Sequence, residues 1–264
     1  MLPSIVLLSL LGSSAARTSV EAMNLFKRIS SGCPTSGPAS CYNTSAVDTC
    51  CTEYPGGLLL QTQFWDTNPS TGPSDSWTIH GLWPDNCDGT YQENCDPSRD
   101  YTDIPTLLVD QGASDTLSFM ETYWVNINGN NEELWEHEWA THGTCYSTLE
   151  VACLPAGSPQ GAEAVAFYKT AVSLFQTLPT YAWLESTGII PSSDQTYSLR
   201  DLTAALQTSS GHIPALGCDG STLNRISWYF NLRGSVVDGD FTLIDSPKSS
   251  ACPSNGISYP PKSC

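Results

Sequence analysis

Glu136-His137-Glu138-Trp139-Ala140-Thr141-His142-Gly143-Thr144-Cys145, read with Ile79-His80-Gly81-Leu82-Trp83-Pro84, holds three of the four histidines of this 264-residue chain. Histidine is the side chain whose ordinary pKa lies nearest working pH, so several brought together with a carboxylate divide acid and base duties. Both segments interleave histidine with aromatic residues and lie near cysteines, a pattern that predicts a catalytic floor held by disulfides.

The segment at 136–145 opens a helical pattern over Glu132 to His142, on which Glu138 and His142 share one face and His137 and Thr141 an adjoining one. Further helices are predicted from Gly161 to Leu178 and from Leu199 to Gln207. Leu58-Leu59-Leu60 and the residues after them predict a strand over Gly56 to Trp65. Arg225 to Leu232, with Ile226-Ser227-Trp228-Tyr229-Phe230, and Asp240 to Ile244 predict two more. Helices and strands fall in separate runs, so the expected class is α+β: an antiparallel central sheet packed against several helices in a disulfide-stapled single domain. The stretch from Pro69 to Pro105, rich in Gly, Pro, Asp and Asn, reads as a long functional loop stapled by Cys87 and Cys95.

With 40% hydrophobic and 14% charged residues the chain buries a substantial core. Met1 to Leu11 is an apolar run too short to span a bilayer, and small residues follow it to Ala16, so 1–16 reads as a secretory signal peptide. Lys27-Arg28 reads equally as a dibasic processing site, which would make 17–28 a propeptide, or as part of an N-terminal tail. Residues 29–264 form the expected catalytic domain. Eleven cysteines in an exported chain predict disulfides with an odd one over, for which Cys264 is the candidate. Asn43-Thr44-Ser45 is an N-glycosylation sequon. The formal charge of −17 excludes a tight, long-footprint polyanion binder and leaves only a local grip on one or two nucleotides.

Several chemistries are tested by spacing. His137-Glu138 invites comparison with zinc proteases, yet the second histidine comes five residues after the first, about 140° round a helix, so no metal site is expected. Glu136 and Glu138, two residues apart on a helix, do not share a face, which disfavours a carboxylate-pair hydrolase. No serine nucleophile elbow appears, and His212 reads as a loop or surface histidine. Two-histidine acid and base catalysis remains, and it suits RNA cleavage, in which one imidazole deprotonates the 2′-hydroxyl and another protonates the leaving 5′-oxygen.

His80-Gly81-Leu82-Trp83-Pro84 and His137-Glu138-Trp139-Ala140-Thr141-His142-Gly143-Thr144-Cys145 resemble the two signature segments of the ribonuclease T2 family, and the likeness extends from Cys33 to Cys252. The resemblance implies a ribonuclease T2-like fold and transphosphorylation to a 2′,3′-cyclic phosphate, then hydrolysis to a 3′-phosphate. It implies His80 as acid, His142 as base, His137 as an auxiliary group on the phosphate and Glu138 as the carboxylate supporting the phosphorane. Trp83, Asp85 and Tyr91 match positions that hold the base on the 5′ side of the cut, with a purine or adenine preference on an otherwise low base specificity; Gln63 is a weaker match for the second base. The implied disulfides are Cys33 with Cys51, Cys41 with Cys87, Cys50 with Cys153, Cys95 with Cys145, and Cys218 with Cys252. The expected partner is single-stranded RNA; no DNA, no membrane insertion and no cofactor are expected, and the protein is expected to be a monomer, extracellular or in a vacuolar-type compartment. One departure stands out: the family usually has lysine where this chain has Thr141, which predicts reduced or acid-shifted activity. The competing class is a binding protein on the same scaffold with vestigial catalysis, aimed at a cell-surface or cytoskeletal partner.

Overall fold

The computed structural model describes residues 31–42 and 48–263; the signal peptide, the propeptide, Asn43 and Cys264 lie outside the described residues. Strand β1 (Leu58–Phe64) is the hub, paired on one side with β2 (Thr78–Asp85) and on the other with β5 (Thr222–Arg233). β5 is the longest strand and also pairs with β4 (Ala215–Asp219) and β6 (Asp240–Ile244), both antiparallel. Two short strands, β3 (Thr196–Tyr197) and β7 (Ile257–Ser258), complete the sheet, and β7 meets β5 in parallel through Thr222 and Ser258. The sheet is therefore antiparallel with one parallel contact.

Among the described residues six α-helices accompany it: α1 (Ile104–Asp110), α2 (Ser114–Tyr123), α3 (Asn131–Thr141), α4 (Ala162–Gln176), α5 (Thr180–Glu185) and α6 (Leu199–Ser210). The α4 pattern of Ala, Val, Phe and Leu gives a helix whose Ala164, Phe167, Tyr168 and Ala171 are fully buried in the main core. That core also takes Leu59, Ile79, Leu82 and Trp228 from one face of the sheet. The opposite face carries a small separate cluster of Leu58, Leu60 and Tyr229, with Trp83 packed against it. One face thus anchors the helices and the other is left for a site.

The stretch from Pro69 to Pro105, expected to be a loop, contains all of β2 and the start of α1. The reason is a β-bulge. Gln63 pairs with Ile79 and Thr62 with Gly81, so His80 is an extra residue without a partner on β1. The extra residue breaks the alternation by which a strand is recognised, yet it lets Ile79 and Leu82, three apart, both enter the core. His80 is the residue released to the open face.

All five disulfides implied by the resemblance are formed: Cys33–Cys51, Cys41–Cys87, Cys50–Cys153, Cys95–Cys145 and Cys218–Cys252. No helix of the described residues is long and apolar enough to cross a membrane.

Candidate active site

The second histidine segment forms the end of α3. Asn130 caps the helix start by accepting from the Glu133 backbone, with Glu132 and Glu133 in the first turn where the helix dipole favours negative charge. Trp135 and Trp139 anchor the buried side, their indoles donating to the Trp124 and Arg99 carbonyls at 2.8 and 2.6 Å. The helix stops at Thr141; His142 is the cap residue, its amide still bonded to the Glu138 carbonyl at 3.2 Å. Gly143 follows because a Cβ there would overlap the Trp139 ring.

These anchors aim Glu138 at β2. Its side chain is fully buried, with Oε1 3.3 Å from His80 Nε2 and Oε2 accepting the Trp83 indole N–H at 2.8 Å. Gly81 makes that approach possible, because a Cβ at Gly81 would overlap Glu138 Oε2. His80 stacks on Phe64 with centroids 3.9 Å apart and meets the Trp83 ring edge-on at 4.9 Å. The other end of the array is His142, whose ring lies 4.9 Å from that of Trp83. His137 is exposed; its ring centroid is 6.3 Å from that of His142, and its Nδ1 lies 3.3 Å from the Thr141 hydroxyl. His80, Glu138, Trp83, His142 and His137 therefore form one continuous constellation.

Its electrostatics divide the groups. Burial by itself would push the Glu138 carboxyl up, but His80, through hydrogen bond and charge, together with the His142 charge and the Trp83 N–H, outweighs it and holds Glu138 below the usual carboxylate range. Burial lowers the His142 imidazole, and the Glu138 charge opposes only part of that. His142 consequently stays neutral to a lower pH than an ordinary histidine, as a proton acceptor must.

The loop after α3 is fastened from three sides. Arg99, buried, donates to the Thr144 and Leu149 carbonyls at 2.7 and 3.0 Å and pairs with Asp96. Thr144 Oγ1 accepts from the Cys95 amide beside the Cys95–Cys145 bridge. Glu53 accepts from the amides and hydroxyls of both Ser147 and Thr148. Neither Arg99, Glu53 nor Gly81 stood out in the sequence, because each works through residues distant along the chain.

The residues expected to hold a base fare unequally. Asp85 ends β2, is 4% exposed, and pairs with Lys248 at 2.7 Å. Tyr91 follows the turn closed by Asn86 and Thr90 and is 61% exposed. Trp83 donates to Glu138 and packs near His142, so it lies within the histidine cluster as well as at the position expected to hold a base. Gln63 departs from expectation: it faces the main core, is fully buried, and its amide donates to the Leu178 carbonyl at 3.4 Å, so it is closed to a base.

Two spacing arguments also meet the structure. Glu136 accepts from the Asp103 amide while Glu138 is buried in the cleft, so the two carboxylates work apart. The helix-angle argument against a metal does not separate the imidazoles, because His142 is a cap: ligand-type atoms of His137, Glu138 and His142 lie within 4.8 Å of one another. What sets this trio apart from a metal cage is that both oxygens of Glu138 are already directed at Trp83 and His80.

Comparison with known proteins places this geometry among relatives. The model of the ribonuclease T2 family matches residues 56–241. Ribonuclease Le2 of Lentinula edodes is 65% identical over 89% of this chain and 98% of its own length. Ribonuclease T2 of Aspergillus oryzae is 47% identical over 87% of this chain and 84% of its own. Among solved structures, that of Actibind, a T2 ribonuclease, superposes with a TM-score of 0.84 at 46% identity, covering 88% of this chain and 98% of that one.

Proposed function

The chain belongs to the ribonuclease T2 family, and from that premise we propose that it cleaves single-stranded RNA by transphosphorylation through a 2′,3′-cyclic phosphate to 3′-phosphate products. It is a metal-independent T2-type endoribonuclease. His142, kept neutral by burial, takes the proton from the 2′-hydroxyl. The oxygen so freed attacks the adjacent phosphorus, and His80 gives its proton to the departing 5′-oxygen. Glu138 stays anionic between them and stabilises the charge that each imidazole carries in turn, while His137, exposed beside them, meets the phosphate. DNA lacks the 2′-hydroxyl nucleophile and is not a substrate by this route.

The observation that carries the reading is the carboxylate of Glu138 held between His80 and the Trp83 indole, with His142 on the far side of that indole. Two imidazoles on either side of one buried anion are what concerted removal and delivery of protons requires. Tyr91 and Asp85 hold the base 5′ to the cut, with a lean towards purines. The protein acts as a monomer outside the cell, and the extracellular placement is supported by five disulfides, which persist in oxidising compartments.

An RNA zymogram with His80→Ala as control tests it, together with chromatography of products from dinucleoside phosphates. Clearance that vanishes in the variant and a transient cyclic phosphate are the expected results. Absence of clearance from clean wild-type protein would replace the enzyme with a binding protein on the same scaffold.

A further inference from the structure

Asp85 and Lys248 lie at the edge of the cleft, where the chain departs from what a lone carboxylate would offer a base. Asp85 is two residues after Trp83 on β2 and therefore shares its face of the sheet. Its carboxylate is buried, its side chain 6% exposed, whereas the side chain of Lys248 is 41% exposed. The ammonium is thus the outer member of a pair only 2.7 Å apart, and whatever reaches Asp85 meets Lys248 as well.

The lysine is held in that position. After β6, the Ser246 hydroxyl accepts from the Lys248 amide at 3.1 Å and donates to its carbonyl at 2.8 Å, while the Ser246 amide donates to the Ile213 carbonyl at 2.7 Å. The stem crosses the turn after β2 at Gly89, where a Cβ would come within 3.3 Å of Lys248 Cε. Gly89 has φ +81°, so the glycine serves both the turn and the lysine passing over it. Asp85 and, more weakly, the phenols of Tyr229 and Tyr91 hold the ammonium charged against the opposing effect of burial.

A carboxylate only accepts hydrogen bonds, and an ammonium only donates them, with three N–H groups of which one is given to Asp85. Adenine carries an amino donor at position 6, and guanine carries a carbonyl acceptor there. A lone Asp85 would suit the first and repel the second. We propose that Lys248 is a specificity-determining residue that, beside Asp85, presents a donor next to an acceptor to the base 5′ to the cut and so admits guanine alongside adenine. This rests on the ribonuclease reading above and assigns to that site a residue 163 positions away from Asp85 in sequence.

The test compares Lys248→Met and Lys248→Gln with wild type in two assays: kcat/KM on ApU, GpU, CpU and UpU, and calorimetric binding of 3′-AMP and 3′-GMP. Lys248→Met is expected to lower the GpU to ApU ratio about tenfold, the weight of one hydrogen bond to a charged group. The ratio of 3′-GMP to 3′-AMP affinity should fall in parallel. Lys248→Gln, which restores a donor without the charge, should recover part of both ratios. A ratio is insensitive to loss of folded protein, which lowers all substrates equally. Unchanged ratios in Lys248→Met, or a uniform loss on all four substrates, would overturn the proposal and leave Lys248 as a counter-charge for Asp85. If the wild type binds the nucleotides with the expected shift in the variant yet cleaves none of the dinucleotides, the ribonuclease reading fails and this one stands.

Discussion

Glu138, on helix α3, and Asp85, at the end of strand β2, are both carboxylates withdrawn from water, yet their surroundings push them in opposite directions. At Glu138 burial is outweighed by His80, His142 and the Trp83 N–H, and the carboxyl is held below its ordinary value. At Asp85 burial wins over Lys248, and the carboxyl is raised. Glu138 is the deeper of the two and yet the one that is lowered, so the sign is decided by how many donors and cations converge on each carboxylate. The cleft thus has a centre where the anion is favoured and a rim where it is less so.

The largest effect should follow from neutralising the centre. Glu138→Gln is expected to lower kcat by about 10²–10³, the range for loss of one preorganised electrostatic contact. Because the Glu138 charge raises His142, its removal lets His142 fall further, so the acid limb of the pH–rate profile should move to lower pH. An acid limb that moved up would mean that Glu138 does not govern His142. Gly81→Ala keeps the charge but forces the carboxylate away from Trp83. A loss of about 10² in kcat with unchanged thermal stability would show that placement matters nearly as much as charge.

Glu53 sharpens the comparison, since it accepts four hydrogen bonds but has no cation, and burial pushes it up to about 7. A carboxyl raised on folding contributes stability that is complete below the unfolded value of 4.5 and is lost as pH rises through about 7. Wild type should therefore lose on the order of 3 kcal/mol between those limits in urea titrations, and Glu53→Gln should lose much less. Equal slopes for the two proteins would refute this role.

Thr141→Lys returns to the centre the cation usual in the family. We expect about a tenfold rise in kcat/KM on dinucleotides and an optimum at higher pH, provided the ammonium reaches the phosphate. No change between pH 4 and 7 would show that the hydroxyl, 3.3 Å from His137 Nδ1, suffices by orienting that imidazole. The smallest effect belongs to the rim: Asp85→Asn should shift the ApU to GpU ratio about threefold while leaving the pH profile of kcat in place, an amide being both donor and acceptor.

What was legible in the sequence follows from range along the chain. Helix α3 and strand β6 show their own periodicity and appear within a residue of expectation. Strand β2 was hidden because His80 breaks its alternation, and α1 and α2 because they are short and sit behind a Pro- and Asp-rich stretch. His80, His137, Glu138 and His142 were readable as rare titratable residues in two motifs, and the structure brings them together. Gln63, matched to the second base only through the resemblance, shares the parity of Leu59 and so faces the core. Lys248, Arg99 and Glu53 act across gaps of 45 to 163 residues, where no local pattern reports on a partner.

The unpaired residue at His80 also makes the site sensitive to a kind of genetic change that substitutions do not mimic. Removing one codon between Ile79 and Gly81 would let β1 and β2 pair without interruption and would leave composition almost untouched. Ile79 and Leu82 would then stand two apart and still both face the helices, so the sheet and its core would survive while the imidazole beside Glu138 was lost. In this strand the chemistry rides on the one residue that the pairing does not need.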